Sequence, residues 1–251
     1  MNIDRKHVKE QFAKYVGNYN PSDPKIALKI AHTYRVADNC EDIARSLNLS
    51  NDDIEFAWLS GMLHDVGRFE QIRIYNTFVD SESVDHAEFG ADILFGEDNL
   101  IAGYVADTSI YEMMEIVIRQ HNKYRIDSSI SGKTLTFCNI LRDADKIDIL
   151  RVNVETPMEE IYNVSKEVLL EAGVSEIVME QIKEHHAIDR AIINSPAERL
   201  IGHIALVFEL VYPRSLELVK EQGYLTQMFD FPSRNASTIE AIKRAKAELL
   251  Q

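Results

Sequence analysis

Cysteine is scarce: Cys40 and Cys138 are the two in 251 residues. Both lie within helical patterns, which suggests no disulfide framework and excludes a disulfide-stapled scaffold. Breakers are scarce as well, with 10 glycines and 6 prolines where average usage would give roughly 18 and 13. So few turn-formers argue against a turn-rich β-sandwich and for long helices. No run approaches 18 apolar residues, so no membrane span is expected. The N-terminal stretch Met1-Asn2-Ile3-Asp4-Arg5-Lys6 lacks the apolar segment of a signal peptide. With the cysteine usage, this leads us to expect a cytoplasmic protein. Basic side chains are outnumbered, 27 against 41 acidic, for a net charge of −14. A field of that sign repels a nucleic-acid backbone, so no nucleic-acid polymer is expected as partner. A small anionic substrate would need local cations or a metal.

What is present is ordinary for a folded protein: 45% hydrophobic and 27% charged residues, a balance that excludes a disordered chain. The length fits one large domain, or one domain with an extension. The apolar period is helical nearly everywhere. Val8, Phe12, Tyr15 and Val16 follow helical spacing, and Asp23-Pro24 reads as an N-cap with proline at the first helical position. The segment Ile54 to His64 is apolar all round, the mark of a buried helix. Residues 65–85 break the pattern and read as a long loop able to hold one short helix. Helices are predicted again at about 84–95, 97–106, 109–122 and 134–152. Thr156-Pro157-Met158-Glu159 and Ser195-Pro196-Ala197-Glu198 both have capping-box form and predict helix starts. Gly173 and Gly223 read as helix ends, and 236–250 as a short amphipathic helix. The expected organisation is a helical core over 1–155, including an N-terminal helix, and a C-terminal helical extension over 156–251 packed on the same domain.

The chemistry shows in where the polar residues fall. His121 shares a helix face with Met114, Val117 and Ile118, and His86 with Phe89, Gly90 and Ile93. His64 ends the all-apolar helix beside Asp65. Asp145 interrupts a stripe of Cys138, Leu141, Ile149 and Val152. A polar group buried without a partner costs on the order of 1–3 kcal/mol. Singly, each has a plain explanation: a lone histidine on an apolar face is usually a hydrogen-bonded core residue, and Asp145 could pair with Arg142 or Lys146. His203, on a face with Leu200, Leu206, Val207 and Leu210, is read that way. Together, four histidines and two aspartates on successive helices form a costly cluster. A divalent metal supplies the compensating charge, with imidazole and carboxylate as suitable ligands. Six such residues, with a bridging carboxylate, are enough for two ions.

The order His32 … His64-Asp65 … Asp145 resembles the signature of the HD-domain superfamily of metal-dependent phosphohydrolases. The stretch Gly61-Met62-Leu63-His64-Asp65-Val66-Gly67-Arg68 is similar to that family's G-x-L-H-D-[IV]-G-[KR] pattern, and Asp143-Ala144-Asp145-Lys146 to its D-A-D-K pattern. His86 and His121, between the doublet and the last aspartate, resemble the added histidines of its dinuclear subgroup. The resemblance covers about residues 25–152. It implies an all-α, HD-type helical bundle holding two divalent ions, with Fe, Mn, Zn, Co, Ni and Mg all open. In that scheme Asp65 bridges, His32, His64 and Asp145 hold one ion, and His86 and His121 hold the other. It implies hydrolysis of a phosphate ester or phosphoanhydride in a small, nucleotide-like, anionic substrate by metal-activated water. Asp65, Arg68 and Lys146 are the catalytic candidates; Arg35, Arg68 and Lys146 are the candidates for phosphate contacts. For each cation, solvation at the surface or pairing with Glu70 or Asp148 carries equal weight. The family's cyclic di-guanylate branch has a G-Y-P motif that is missing around Ile118–Tyr124, which disfavours that substrate. Two alternatives stand: a di-iron HD-type oxygenase using the same ligand types, and a non-catalytic ligand-sensing module. A homo-oligomer stays open, and 156–251 carries no substrate signature.

Overall fold

In a computed structural model that describes residues 3–249, helices form the whole fold, with no strand among the described residues. Met1 and Asn2 of the N-terminal stretch lie outside the described residues. No helix among the described residues is long and apolar enough to cross a membrane. The chain divides into two units, Met1–Asp145 and Lys146–Gln251. The division falls inside a helix, whereas the sequence places it at that helix's end.

The first unit runs α1 (Arg5–Val16), α2 (Pro24–Ser46), α3 (Asn51–Leu63), α4 (Val66–Tyr75), α5 (His86–Phe95), α6 (Tyr111–Gln120) and the start of α7 (Gly132–Glu155). Asp23 caps α2 by accepting from the Lys25 amide, with Pro24 at the first helical position as expected. In α3, every residue from Phe56 to Leu63 is buried, the outcome of an apolar surface on all sides. Gly61 makes this possible. A β-carbon there would come within 2.6 Å of the Ala37 Cα, so α2 and α3 pack backbone to backbone.

Two sequence expectations are corrected. The loop predicted over 65–85 shrinks to 76–85, because α4 occupies Val66–Tyr75. Its buried apolar residues Val66, Phe69 and Ile72 are three apart and separated by Gly67, Arg68, Glu70 and Gln71, which hide the apolar stripe. The helix predicted over 97–106 is a single 3-10 turn, Leu100–Gly103, entered through left-handed Asn99. The remaining loop of the pattern is bracketed by a close contact. A β-carbon on Gly67 would lie 2.4 Å from the His86 carbonyl and 2.6 Å from the Gly90 amide nitrogen. These are backbone atoms and cannot rotate away. Overpacking of this kind typically costs about 1–3 kcal/mol. We expect Gly67→Ala to lower the unfolding free energy by that amount in a urea titration followed by circular dichroism; an unchanged free energy would show that α4 and α5 can part without cost.

The second unit continues α7 into α8 (Met158–Tyr162), α9 (Lys166–Glu171), α10 (Glu176–Ile182), α11 (Pro196–Ala205), α12 (Pro213–Gln222), α13 (Tyr224–Phe229) and α14 (Ala236–Leu249). The capping box at Ser195 forms, with Glu198 answering from the third position. The one expected at Thr156 does not: the Thr156 amide still donates to Val152 O at the end of α7, and α8 starts after Pro157 without a side-chain cap. Gly223 ends α12 with φ +72°, as expected. Of the tail helix predicted over 236–250, residue 250 lies outside the described residues. His203 Nδ1 meets Asn153 Oδ1 at 2.8 Å, and the Tyr162 hydroxyl donates to the same oxygen at 2.5 Å, as a core histidine requires.

Candidate metal centre

Helix ends of the first unit set the geometry. His64 follows the last residue of α3, and His121 the last residue of α6. The final carbonyls of a helix have no partner within it. Each of these histidines uses one: His64 Nδ1–H donates to Gly61 O, and His121 Nδ1–H to Ile118 O, both at 2.7 Å. His86 is the first residue of α5, set there by the Asp85 cap, which accepts from the Ala87 and Glu88 amides. Its Nδ1–H donates to Asp80 Oδ2 at 2.7 Å. His32 is buried in mid-α2, and Asp145 lies on α7 with a side chain 16% exposed. Asp65 sits at the N-cap position of α4 but makes no capping bond, which leaves its carboxylate for other partners.

A carbonyl oxygen only accepts, so the protons of His64 and His121 are on Nδ1 and their Nε2 lone pairs point elsewhere. Burial pushes His121 down to about 3, and burial together with the Arg68 charge lowers His86. The Nε2 atoms converge: His64 and His32 approach to 3.3 Å, His86 and His121 to 3.0 Å. Lone pairs facing one another this closely in a buried site call for a cation between them. The carboxylates complete the sets. Asp65 Oδ2 lies 3.4 Å from Nε2 of both His32 and His64, while Asp65 Oδ1 lies 3.6 Å from His86 and 3.8 Å from His121. Asp145 Oδ1 lies 3.1 Å from His32 and 3.8 Å from His64. Ligand atoms of His32, His64 and Asp65, and again of Asp65, His86 and His121, all fall within 4.8 Å of one another. Three to four imidazole and carboxylate donors at this spacing suit a divalent ion. Burial would raise both carboxyls. The Lys29 ammonium holds Asp65 well below the usual range against that effect.

All six residues expected as ligands are thus brought together. The cations behave differently. Arg68 is 14% exposed and spends one guanidinium nitrogen, Nη1, on Gln71 Oε1, Phe78 O and Asp80 Oδ1, at 2.7, 2.8 and 2.8 Å. Its buried Nε has no hydrogen-bond partner and lies 3.8 Å from Asp65 Oδ1. Arg68 therefore ties the 76–85 loop to the site as well as facing it. Arg35 is half-buried on α2, and Lys146 is buried on α7 beside Asp145.

Three contributors escape the sequence reading. Lys29 Nζ lies 2.6 Å from Asp65 Oδ2; its place one turn before His32 on the same helix face was the available signal. Asp80 holds His86 and Arg68 at once, and those two hold its carboxyl far down against the raising effect of burial. Nothing local distinguishes it from a polar loop residue. Asn122 follows His121 and donates to Asp85 Oδ1 at 2.8 Å.

No curated protein and no solved structure matches the chain. The family model for the HD domain matches residues 30–150, a span from α2 to α7 that contains all six clustered side chains. That segment is similar to the HD-domain family, and its clustered histidines and aspartates fit an HD-type metal site.

Proposed function

We propose that the protein is a metal-dependent phosphohydrolase acting on a phosphate ester or phosphoanhydride of a small nucleotide-like molecule. The observation that carries this reading is the orientation of Asp65, whose two oxygens each face a separate pair of imidazoles. In this reading His32, His64 and Asp145 hold one divalent ion, His86 and His121 hold a second, and Asp65 spans the two. Such a pair, when bound, brings the acidity of water near neutrality and takes up negative charge on a phosphoryl oxygen.

The protein's own residues supply the rest. The Nδ1 hydrogen bonds of His64, His86 and His121 fix ring orientation and tautomer. Asp80 holds His86, and Arg68 holds Asp80. Around one carboxylate of a chain with net charge −14, Lys29 and Arg68 stand at 2.6 and 3.8 Å. That local positive charge suits an anionic substrate that the overall field would repel. Arg35 and Lys146 remain candidates for further phosphate contacts.

The test is phosphate release from a panel of nucleotides and phosphate esters by Mn²⁺-loaded protein under strict anaerobiosis. Hydrolysis is redox-neutral, so we expect turnover there, and with Co²⁺ as well. Turnover seen only with iron and O₂, with oxygen consumed in proportion, would replace this reading by the di-iron oxygenase. Tight binding of a nucleotide without turnover under either condition would favour the sensing module.

A further inference from the structure

Lys29 is a buried-stem lysine with one ion-pair partner among the described residues, and that partner is the carboxylate at the centre of the cluster. Its Nζ lies 2.6 Å from Asp65 Oδ2, the oxygen that also faces His32 and His64. Its side chain is 17% exposed, so the residue is not sealed from solvent. The Phe78 ring, on the loop that Arg68 pins, lies 5.5 Å from the ammonium and 5.8 Å from the Arg68 guanidinium. A lysine ammonium is a point charge with three donors on a flexible stem. It can leave one acceptor for another without moving the backbone.

We propose that Lys29 is a phosphate-binding residue of this site. An ammonium and a divalent ion compete for Asp65 Oδ2. When the carboxylate is engaged by metal, Lys29 has no second ion-pair partner among the described residues, and its released ammonium is taken up by a phosphoryl oxygen of the substrate. The same residue therefore balances the charge of Asp65 in one condition and binds the anion in the other. This proposal rests on the phosphohydrolase reading and adds a residue to it.

The experiment compares wild type with Lys29→Met, which keeps the apolar stem, and Lys29→Arg, which keeps the charge. Calorimetry follows Mn²⁺ binding to chelator-treated protein, then inorganic phosphate binding to the Mn²⁺-loaded protein. We expect K29M to bind Mn²⁺ several-fold more tightly, because a competing cation is gone, and phosphate roughly 10- to 150-fold more weakly, the size of one charge-assisted contact. K29R should retain most of the phosphate affinity. A lysine with a merely structural role would not move the two affinities in opposite directions. A second measurement uses wild type alone. Acylation of Lys29, read by mass spectrometry, should rise on Mn²⁺ loading and fall again when phosphate is added, which decides the matter even if the variants misfold. Equal phosphate affinity in wild type and K29M, or acylation unaffected by phosphate, would overturn the assignment of Lys29 and leave the hydrolase reading standing. Wild-type Mn²⁺-loaded protein that neither binds phosphate nor cleaves any ester would overturn both.

Discussion

Asp65→Ala is expected to empty both halves of the centre while leaving a folded helical protein. The carboxylate contributes one oxygen to the His32/His64 side and the other to the His86/His121 side, so its loss removes a negative donor from each. Losing an outer hydrogen-bond partner of a ligand typically costs 10- to 100-fold in affinity or activity; losing a ligand common to both sides should exceed this, at roughly 10³-fold or more in rate. The fold should survive, since α3 is held by its apolar surface and Asp65 makes no helix-capping bond. Elemental analysis and circular dichroism on the same sample check both halves of the statement. Two ions per chain retained by a folded D65A protein would sink the bridging role.

The second large effect concerns one side of the centre only. His121→Ala should lower the metal content toward one ion per chain, because His32, His64, Asp145 and Asp65 Oδ2 are untouched. The rate should fall by a similar order to that of D65A, since water activation and charge uptake by a pair need both ions. His121 is a cleaner position than His86 for this measurement. Its removal takes one side-chain donor from Ile118 O, which keeps the backbone amide of residue 121. Removing His86 would also strip Asp80 of its imidazole partner and disturb Arg68 and the 76–85 loop. Unchanged metal stoichiometry in H121A would return His121 to the status of a hydrogen-bonded core histidine.

The ligand set was legible because its members break the apolar pattern. A histidine or aspartate on a buried face shows in the sequence as an exception, and six exceptions on successive helices constrain one another. Helices with a clear apolar stripe, such as α2 and α6, were legible from their period, and α3 from being apolar on all sides. What was hidden depends on neighbours distant along the chain. The buried apolar positions of α4 are three apart and interleaved with charged and amide residues, so its burial against α5 through Gly67 and Gly90 has little local trace. Asp80 lies in a run of serines and acids that resembles any exposed turn; only the fold shows that its carboxylate lies between His86 and Arg68. Lys29 and Arg35 both sit one turn from His32, on either side of it. Spacing alone cannot show that Lys29 is the one placed on Asp65.

The hydrogen bonds from His64 to Gly61 O and from His121 to Ile118 O have a consequence for how the protein acquires its ions. Each ring is oriented by the last turn of its own helix, so ligand geometry comes with helix formation and does not wait for coordination. In small zinc modules the metal's binding energy is the folding energy, and chelation unfolds them. Here folding and filling are expected to be separate events. On the proposed reading, such a centre would be stripped and refilled without unfolding, with Lys29 balancing the charge of Asp65 in between. Which ion it carries in the cell is then decided by supply and by the rank order of divalent affinities, and a change in metal supply would alter the activity of molecules already made.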